Sequence, residues 1–232
     1  MPLSSAVTSR ERRKAVAITI RKATVYLVED HPFVCGAMTA LIHQEPDLVV
    51  CGQSGDARVA LEEIKRLAPD LITVDIMLGC GNGIDLLKDI LTMLPQALVL
   101  VVSAEDEFLY AERVIRAGAK GYLMKAESIE ELALAIRQIL NGGIYISQGL
   151  RQRLFPRRHA SKRVLPKLGE LSDRELQVLQ LMGHGIGPSK IAEKLSVSVK
   201  SIEYYQSRLK SKLHLPHGDD LWQYASRLLR GS

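Results

Sequence analysis

The sequence predicts an α/β doubly wound, five-stranded parallel sheet followed by a small all-α domain. Three observations predict it. Short β-rich apolar runs alternate with helical patterns up to about residue 141, and from residue 170 the period is wholly helical. The charge also changes sign between these parts. Residues 24–147 hold 18 acidic and 9 basic side chains, whereas residues 148–232 hold 7 acidic and 16 basic ones. An acidic module joined to a basic one suggests a different partner for each half.

Residues 1–23 carry Arg10, Arg12, Arg13, Lys14, Arg21 and Lys22 against a single Glu11. They read as a basic flexible extension, with a start codon placed too far upstream as the alternative. "AVAITI" is too short for a secretory core. No apolar run approaches the roughly 20 residues of a membrane span, so no membrane partner is expected. Cys35, Cys51 and Cys80 lack metal-ligand spacing and are odd in number, which favours a reducing, cytoplasmic location.

The β-rich runs lie at 25–28, 48–51, 71–74, 98–102 and 121–123. Helical patterns follow at 33–43, 56–67, 83–93, 106–117 and 128–141. Five β–α repeats with right-handed crossovers give a parallel sheet covered on both faces. Asn141-Gly-Gly143 is a helix stop, placing the first domain at 24–147. Residues 148–169 have no sustained period and read as a basic linker with room for one short helix. The second domain, 170–232, opens on the capping box Ser172-Asp-Arg-Glu175. Pro188 is placed for a first helical turn, Ser198 can cap a helix through Leu213, and "DDLWQYASRLLR" supplies a last helix.

In a doubly wound fold, ligands bind at the carboxyl ends of the strands. Glu29 and Asp30 follow the first strand, Asp75 ends the third, Ser103 ends the fourth and Lys125 follows the fifth. Crowded carboxylates need a cation to stay ionised together, and hard oxygen donors favour Mg²⁺. A carboxylate nucleophile, a divalent ion, a hydroxyl and a lysine together suggest phosphoryl transfer onto Asp75. A haloacid-type phosphatase would need a second aspartate where Met77 stands. Gly79-Cys-Gly81-Asn-Gly83 lacks the dinucleotide spacing and follows the wrong strand. Cys80 lies near this site, and an inert thiol is the favoured reading.

This half resembles the flavodoxin-like receiver domain of two-component response regulators, over about 24–146. The resemblance rests on "VEDH" (28–31), "VDIMLGCGNG" (74–83), "VVSA" (101–104) and "GYLMK" (121–125). It implies that Asp75 is the phosphoacceptor and that Glu29, Asp30, Asp75 and the Met77 carbonyl hold Mg²⁺. It also implies that Ser103 and Lys125 grip the acyl phosphate, with Tyr122 as the aromatic switch. The family usually has proline four residues after the acceptor, where this chain has Gly79.

In the second half, residues 199–213 can be read at about 100° per residue. Ile202, Gln206, Leu209 and Leu213 fall on one face, with Tyr205 at its edge. Lys200, Tyr204, Ser207 and Ser211 fall opposite, with Arg208 beside them. One face packs, and the other suits a major groove. Lys200, Ser201, Tyr204, Ser207, Arg208 and Ser211 are the candidate DNA contacts. The module resembles the NarL/LuxR-type helix-turn-helix over about 170–230, from "LSDRELQVLQLM" through "KIAEKLSVSVKSI" to "LWQYASRLL". Departures are Glu203 and Tyr205 in the recognition helix, and Pro188 and Lys190 before it.

The expectation is therefore a phosphorylation-controlled transcription regulator, not an enzyme. Its implied partners are DNA, a sensor histidine kinase and a second copy of itself once phosphorylated. Two alternatives stay open: a phosphorylation-independent DNA-binding regulator, and a receiver whose helical domain binds protein, which Glu203 would favour.

Overall fold

A computed structural model describes residues 21–79, 81–127, 129–154, 168–215 and 217–230. Cys80, the first 20 residues of the extension and linker residues 155–167 lie outside the described residues.

Five strands form one parallel sheet: β1 (Ala23–Val28), β2 (Leu48–Ser54), β3 (Leu71–Val74), β4 (Val99–Ser103) and β5 (Gly121–Met124), in the order β2-β1-β3-β4-β5. The helices between and after them are α1 (Pro32–Gln44), α2 (Ala57–Leu67), α3 (Gly83–Met93), α4 (Glu107–Arg116) and α5 (Ile129–Leu140). Alternation along each strand assigns the faces. Tyr26 and Val28, Ile72 and Val74, and Val99 and Val101 face the core shared with α2, α3 and α4. Val25, Leu27, Leu71, Leu100 and Val102 face the smaller core under α1 and α5. The chain changes face between β1 and β3, so the crevice of the fold opens at their carboxyl ends.

Local chemistry starts the helices where the sequence places them. Asp56, Asn82 and Asp106 each accept a backbone N–H at the start of α2, α3 and α4. Helix α5 stops before Gly142, which takes a left-handed φ of 81°. Beyond it, Tyr145 bridges to Gly121 at the outer edge of β5. A short helix, α6 (Gln148–Leu154), then packs on α4, with the Ser147 hydroxyl donating to Glu107 at 2.6 Å.

A 3₁₀ turn at Leu168–Glu170 leads into α7 (Asp173–Gly183), α8 (Pro188–Lys194), α9 (Val199–Leu213) and α10 (Gly218–Arg230). Ser172 and Glu175 form the expected capping box, and Ser198 caps α9. Ile202, Leu209 and Leu213 are buried on the inner face of α9, as the periodicity requires.

The helical domain is seated on the α3–α4 side of the sheet domain. Arg113 donates to the Leu171 carbonyl at 2.7 Å, to Asp173 at 3.1 Å and to the Leu168 carbonyl. Lys88 donates to Asp173 at 2.7 Å. Apolar residues of both domains form one continuous buried cluster. Among the described residues, no helix is long and apolar enough to cross a membrane.

Candidate functional site

The strand-end residues converge on Asp75. Val74 completes β3, and the next residue must leave the sheet where the crevice opens. The Asp75 side chain is 4% exposed and that of Ser103 is fully buried. Ser103 Oγ donates to Asp75 Oδ1 at 2.7 Å, and Lys125 Nζ lies 2.7 Å from Asp75 Oδ2 and 2.6 Å from Glu29 Oε2. Burial pulls the Lys125 ammonium down, but the Asp75 and Glu29 carboxylates outweigh it and its pKa rises. A charge this deep is tolerable because it is paired and hydrogen-bonded.

The glycines of the β3–α3 loop have distinct reasons. A Cβ on Gly83 would lie 1.8 Å from the Asp75 carbonyl oxygen, so only glycine lets α3 start against the acceptor's own backbone. The Gly79 N–H donates to Asp30 Oδ2 at 2.8 Å. Proline, usual at this place in receivers, has no N–H to give. The departure at Gly79 thus adds a donor to one of the pocket carboxylates.

Glu29, Asp30, His31 and Asp75 each offer a ligand atom within 4.8 Å of the others. Asp30 Oδ1 is buried and receives no hydrogen bond, although His31 Nδ1 lies 2.9 Å away without hydrogen-bond geometry. An acceptor oxygen without a donor, beside two further carboxylates, fits a hard divalent cation. His31 was not singled out by sequence reasoning. Its signal is adjacency to Glu29 and Asp30 in "EDH". The Met77 N–H donates to Asp75 Oδ1 at 3.3 Å, and its side chain packs against the larger apolar cluster.

Tyr122 is turned inward at 1% exposure, and its hydroxyl donates to the Glu105 carbonyl at 2.7 Å. Burial, then the Glu105 and Tyr110 groups, push its pKa well up, so it stays a neutral donor. The Glu105 side chain accepts from Gln180 of α7, and burial followed by the Asp75 charge pushes its pKa up.

The second candidate surface is the outer face of α9. Lys200, Tyr204, Ser207, Arg208 and Ser211 are all exposed. Ser201 is half-buried and shares a 2.8 Å hydroxyl contact with Ser198, so it belongs to the helix cap as much as to the face. The Arg208 guanidinium stands 6.0 Å from the Tyr204 ring, with its Nε 3.5 Å from Glu175. Lys212 meets the same carboxylate at 2.6 Å. Burial pushes the Glu175 carboxyl up, but Lys212 and the Ser172 N–H outweigh it and its pKa falls. Sequence reasoning placed Glu175 in the capping box alone. It also ties down two cations of α9.

Residues 25–137 match the response regulator receiver domain, and residues 169–225 match the bacterial regulatory proteins of the luxR family. The oxygen regulatory protein NreC of Staphylococcus aureus is 29% identical over 207 residues, covering 87% of this chain and 95% of NreC. A LuxR-family two-component response regulator from an Aurantimonas species is 30% identical, with a TM-score of 0.54, over 56% of this chain and 94% of that one. The RcsB response regulator of Salmonella typhimurium shares the fold at 23% identity and a TM-score of 0.65, over 89% of this chain and 98% of its own. With the pocket at the strand ends and the exposed helix behind it, the chain belongs to the NarL/LuxR-type two-component response regulators.

Proposed function

We propose that Asp75 accepts a phosphoryl group from a sensor histidine kinase, and that this controls DNA binding through α9. One observation carries the reading: Ser103, Lys125, Glu29 and Asp30 converge on one buried aspartate at the switch point of the sheet. An Asp75 carboxylate oxygen attacks phosphorus, the bond from phosphorus to the kinase imidazole nitrogen breaks, and an acyl phosphate forms. Glu29, Asp30, Asp75 and the Met77 carbonyl would hold Mg²⁺. That ion, when bound, supplies neutralisation of the phosphoryl oxygens. Lys125 and Ser103 already bond to Asp75 and need only small shifts to reach a phosphoryl oxygen.

Phosphorylation adds charge and acceptor oxygens. Ser103 is drawn to them, and Tyr122 gives up its bond to the Glu105 carbonyl as it reorients. The family resemblance implies homodimerisation next. It also implies exposure of the recognition helix, yet the outer face of α9 is already at the surface. What phosphorylation has to change is the seating of the helical domain on the receiver. Lys200, Ser201, Tyr204, Ser207, Arg208 and Ser211 are the proposed DNA contacts, basic groups for phosphates and Tyr204 for base edges. RcsB from Salmonella enterica has been solved bound to promoters in the presence of a phosphomimetic, which supports DNA as the partner. We place the receiver at 24–147, the linker at 148–169 and the DNA-binding domain at 170–232, in a cytoplasmic protein.

Acetyl phosphate with Mg²⁺ should add one phosphoryl group in intact-mass spectra, and Asp75→Asn should abolish it. Equal labelling of the two proteins would overturn the assignment. A gel shift with genomic fragments, with and without acetyl phosphate, separates the remaining readings. Equal shifts in both arms indicate phosphorylation-independent binding, and no shift in either indicates a protein partner.

A further inference from the structure

Glu203 is the single acidic residue of α9, and nothing in the helix itself accounts for it. It is exposed and lies beyond the first turn, where a carboxylate would support the helix dipole. Carboxylates on other helices pair one turn along, as Glu63 does with Arg66, Asp85 with Lys88 and Glu112 with Arg116. Lys200 stands one turn before Glu203, yet among the described residues Glu203 makes no ion pair. At about 100° per residue, Glu203 falls between Val199 and Tyr204 around the helix. Val199 is 42% and Tyr204 58% exposed, two of the large apolar side chains that this chain leaves in water. Exposed apolar groups and an unspent carboxylate thus share the amino-terminal half of α9, the half of a recognition helix that meets base edges.

We propose that Glu203 determines which sequence the protein reads, its carboxylate accepting from the 4-amino group of a cytosine in the major groove. This rests on the reading of α9 as the DNA-contacting helix. An ionised carboxylate has acceptors only. In the major groove guanine shows N7 and O6 and thymine shows O4, all acceptors, so both bases repel it. Adenine offers its 6-amino group, but its own N7 and the O4 of its partner stand on either side. The cytosine 4-amino group has an acceptor on one side only, the guanine O6, and a C–H on the other. The order of preference is therefore cytosine, then adenine, with guanine and thymine last. At a site without that cytosine the carboxylate only repels the phosphates. Glu203 thus weakens non-specific binding while sparing the matched complex.

Selection of binding sites from randomised duplexes tests the assignment base by base. The full chain is used with and without acetyl phosphate, and either arm that recovers a site serves. One position of the wild-type site should read cytosine. In the same groove an amide side chain suits adenine and an ammonium suits guanine. Glu203→Gln should therefore change that position to adenine and Glu203→Lys should change it to guanine, with the other positions kept. Replacing that cytosine by 2-pyrimidinone, which lacks the 4-amino group, removes the donor alone. Wild-type binding should then weaken about tenfold, roughly 1.4 kcal/mol, and Glu203→Ala binding should not change. Glu203 is exposed, so thermal midpoints of the variants should match the wild type. If Glu203 merely repels DNA, every variant binds all duplexes more tightly and recovers the wild-type bases, which overturns the proposal. A wild-type protein that recovers no site overturns it differently, by removing α9 as the reader of DNA.

Discussion

The pocket around Asp75 and the outer face of α9 are opposite solutions to binding an anion. In the pocket the charges are held by neighbours before any ligand arrives, one Asp30 oxygen excepted: Lys125 spans Asp75 and Glu29, and Gly79 supports the other Asp30 oxygen. On α9, Lys200, Tyr204 and Ser207 stand in solvent, and Tyr204 meets its neighbours Tyr205 and Arg208. The pocket is built by the fold, so its geometry is fixed at folding and a small anion meets preorganised groups. The α9 face is completed by its partner, so it tolerates change in the free protein. Substitutions should therefore cost stability in the first region and affinity alone in the second.

The largest expected effect is at Gly83. In Gly83→Ala the three atoms nearest the new Cβ are all backbone, the closest being the Asp75 carbonyl oxygen at 1.8 Å. Either α3 or the acceptor must move. Overpacking of this kind costs about 1–3 kcal/mol, and labelling of Asp75 should fall by roughly tenfold or more, since an ångström of misplacement is costly. Thermal unfolding and intact-mass labelling of the variant measure both. A stable, fully labelled Gly83→Ala protein would break the contrast at its stronger end.

Glu175 is the place where the α9 face borrows from the interior. Its folded carboxyl pKa lies below the ordinary value. The stability this gives is present above the unfolded pKa of about 4.3 and is lost as pH falls through the folded value. Acid titration of the wild type should show that loss, and Glu175→Gln should flatten it. The variant should also lose about 1–2 kcal/mol at neutral pH, because Lys212 and the Ser172 N–H lose an ionic acceptor. A wild-type and a Glu175→Gln protein with parallel pH profiles would show that the carboxylate does not hold α9.

Next come Lys200 and Arg208. Each Ala variant should leave the thermal midpoint nearly unchanged, as surface changes within about 0.5 kcal/mol do. Each should weaken DNA binding and lower the salt slope by about one. Arg208 should lose less, because Glu175 already draws on its charge. Tyr204→Ala should alter sequence preference more than salt slope. Unchanged binding in all three would exclude this face as the reader.

The same contrast explains what was legible in the sequence. Glu29, Asp30, Asp75, Ser103 and Lys125 could be placed because strand ends in a doubly wound sheet share one edge, whatever else the chain does. Ile202, Leu209 and Leu213 could be placed because a helix has one period. The docking of the two domains could not. Gln177 and Gln180 look like solvent-facing residues of α7, yet both are buried, with partners at Asn82 and Glu105 that lie 95 and 75 positions away. No periodicity encodes a hydrogen bond across that distance. Glu105 was readable as a pocket neighbour but not as a tethered one, and His31 was readable only as a neighbour of two carboxylates.

The smallest effect concerns how long the phosphoryl group lasts. Water must attack phosphorus in line, and a polar side chain beside that path can orient it. The receiver resemblance puts Met77 and Glu105 beside the path. Met77 offers no donor and only a weak acceptor. Glu105 is held by Gln180 in the docked form and carries a charge that opposes an incoming anion. Both favour slow self-dephosphorylation. Met77→Asn supplies a group that can hold water, so loss should be faster. Had Met77 lain wholly over the pocket, as much as tenfold would be reasonable. Its side chain packs partly into the apolar cluster instead, so only part of it shields the site. The expectation is about threefold, or roughly 0.6 kcal/mol of barrier. Phosphate release from purified phosphoprotein decides it. An equal or slower rate in folded Met77→Asn would mean that the methionine only packs and does not shield the site.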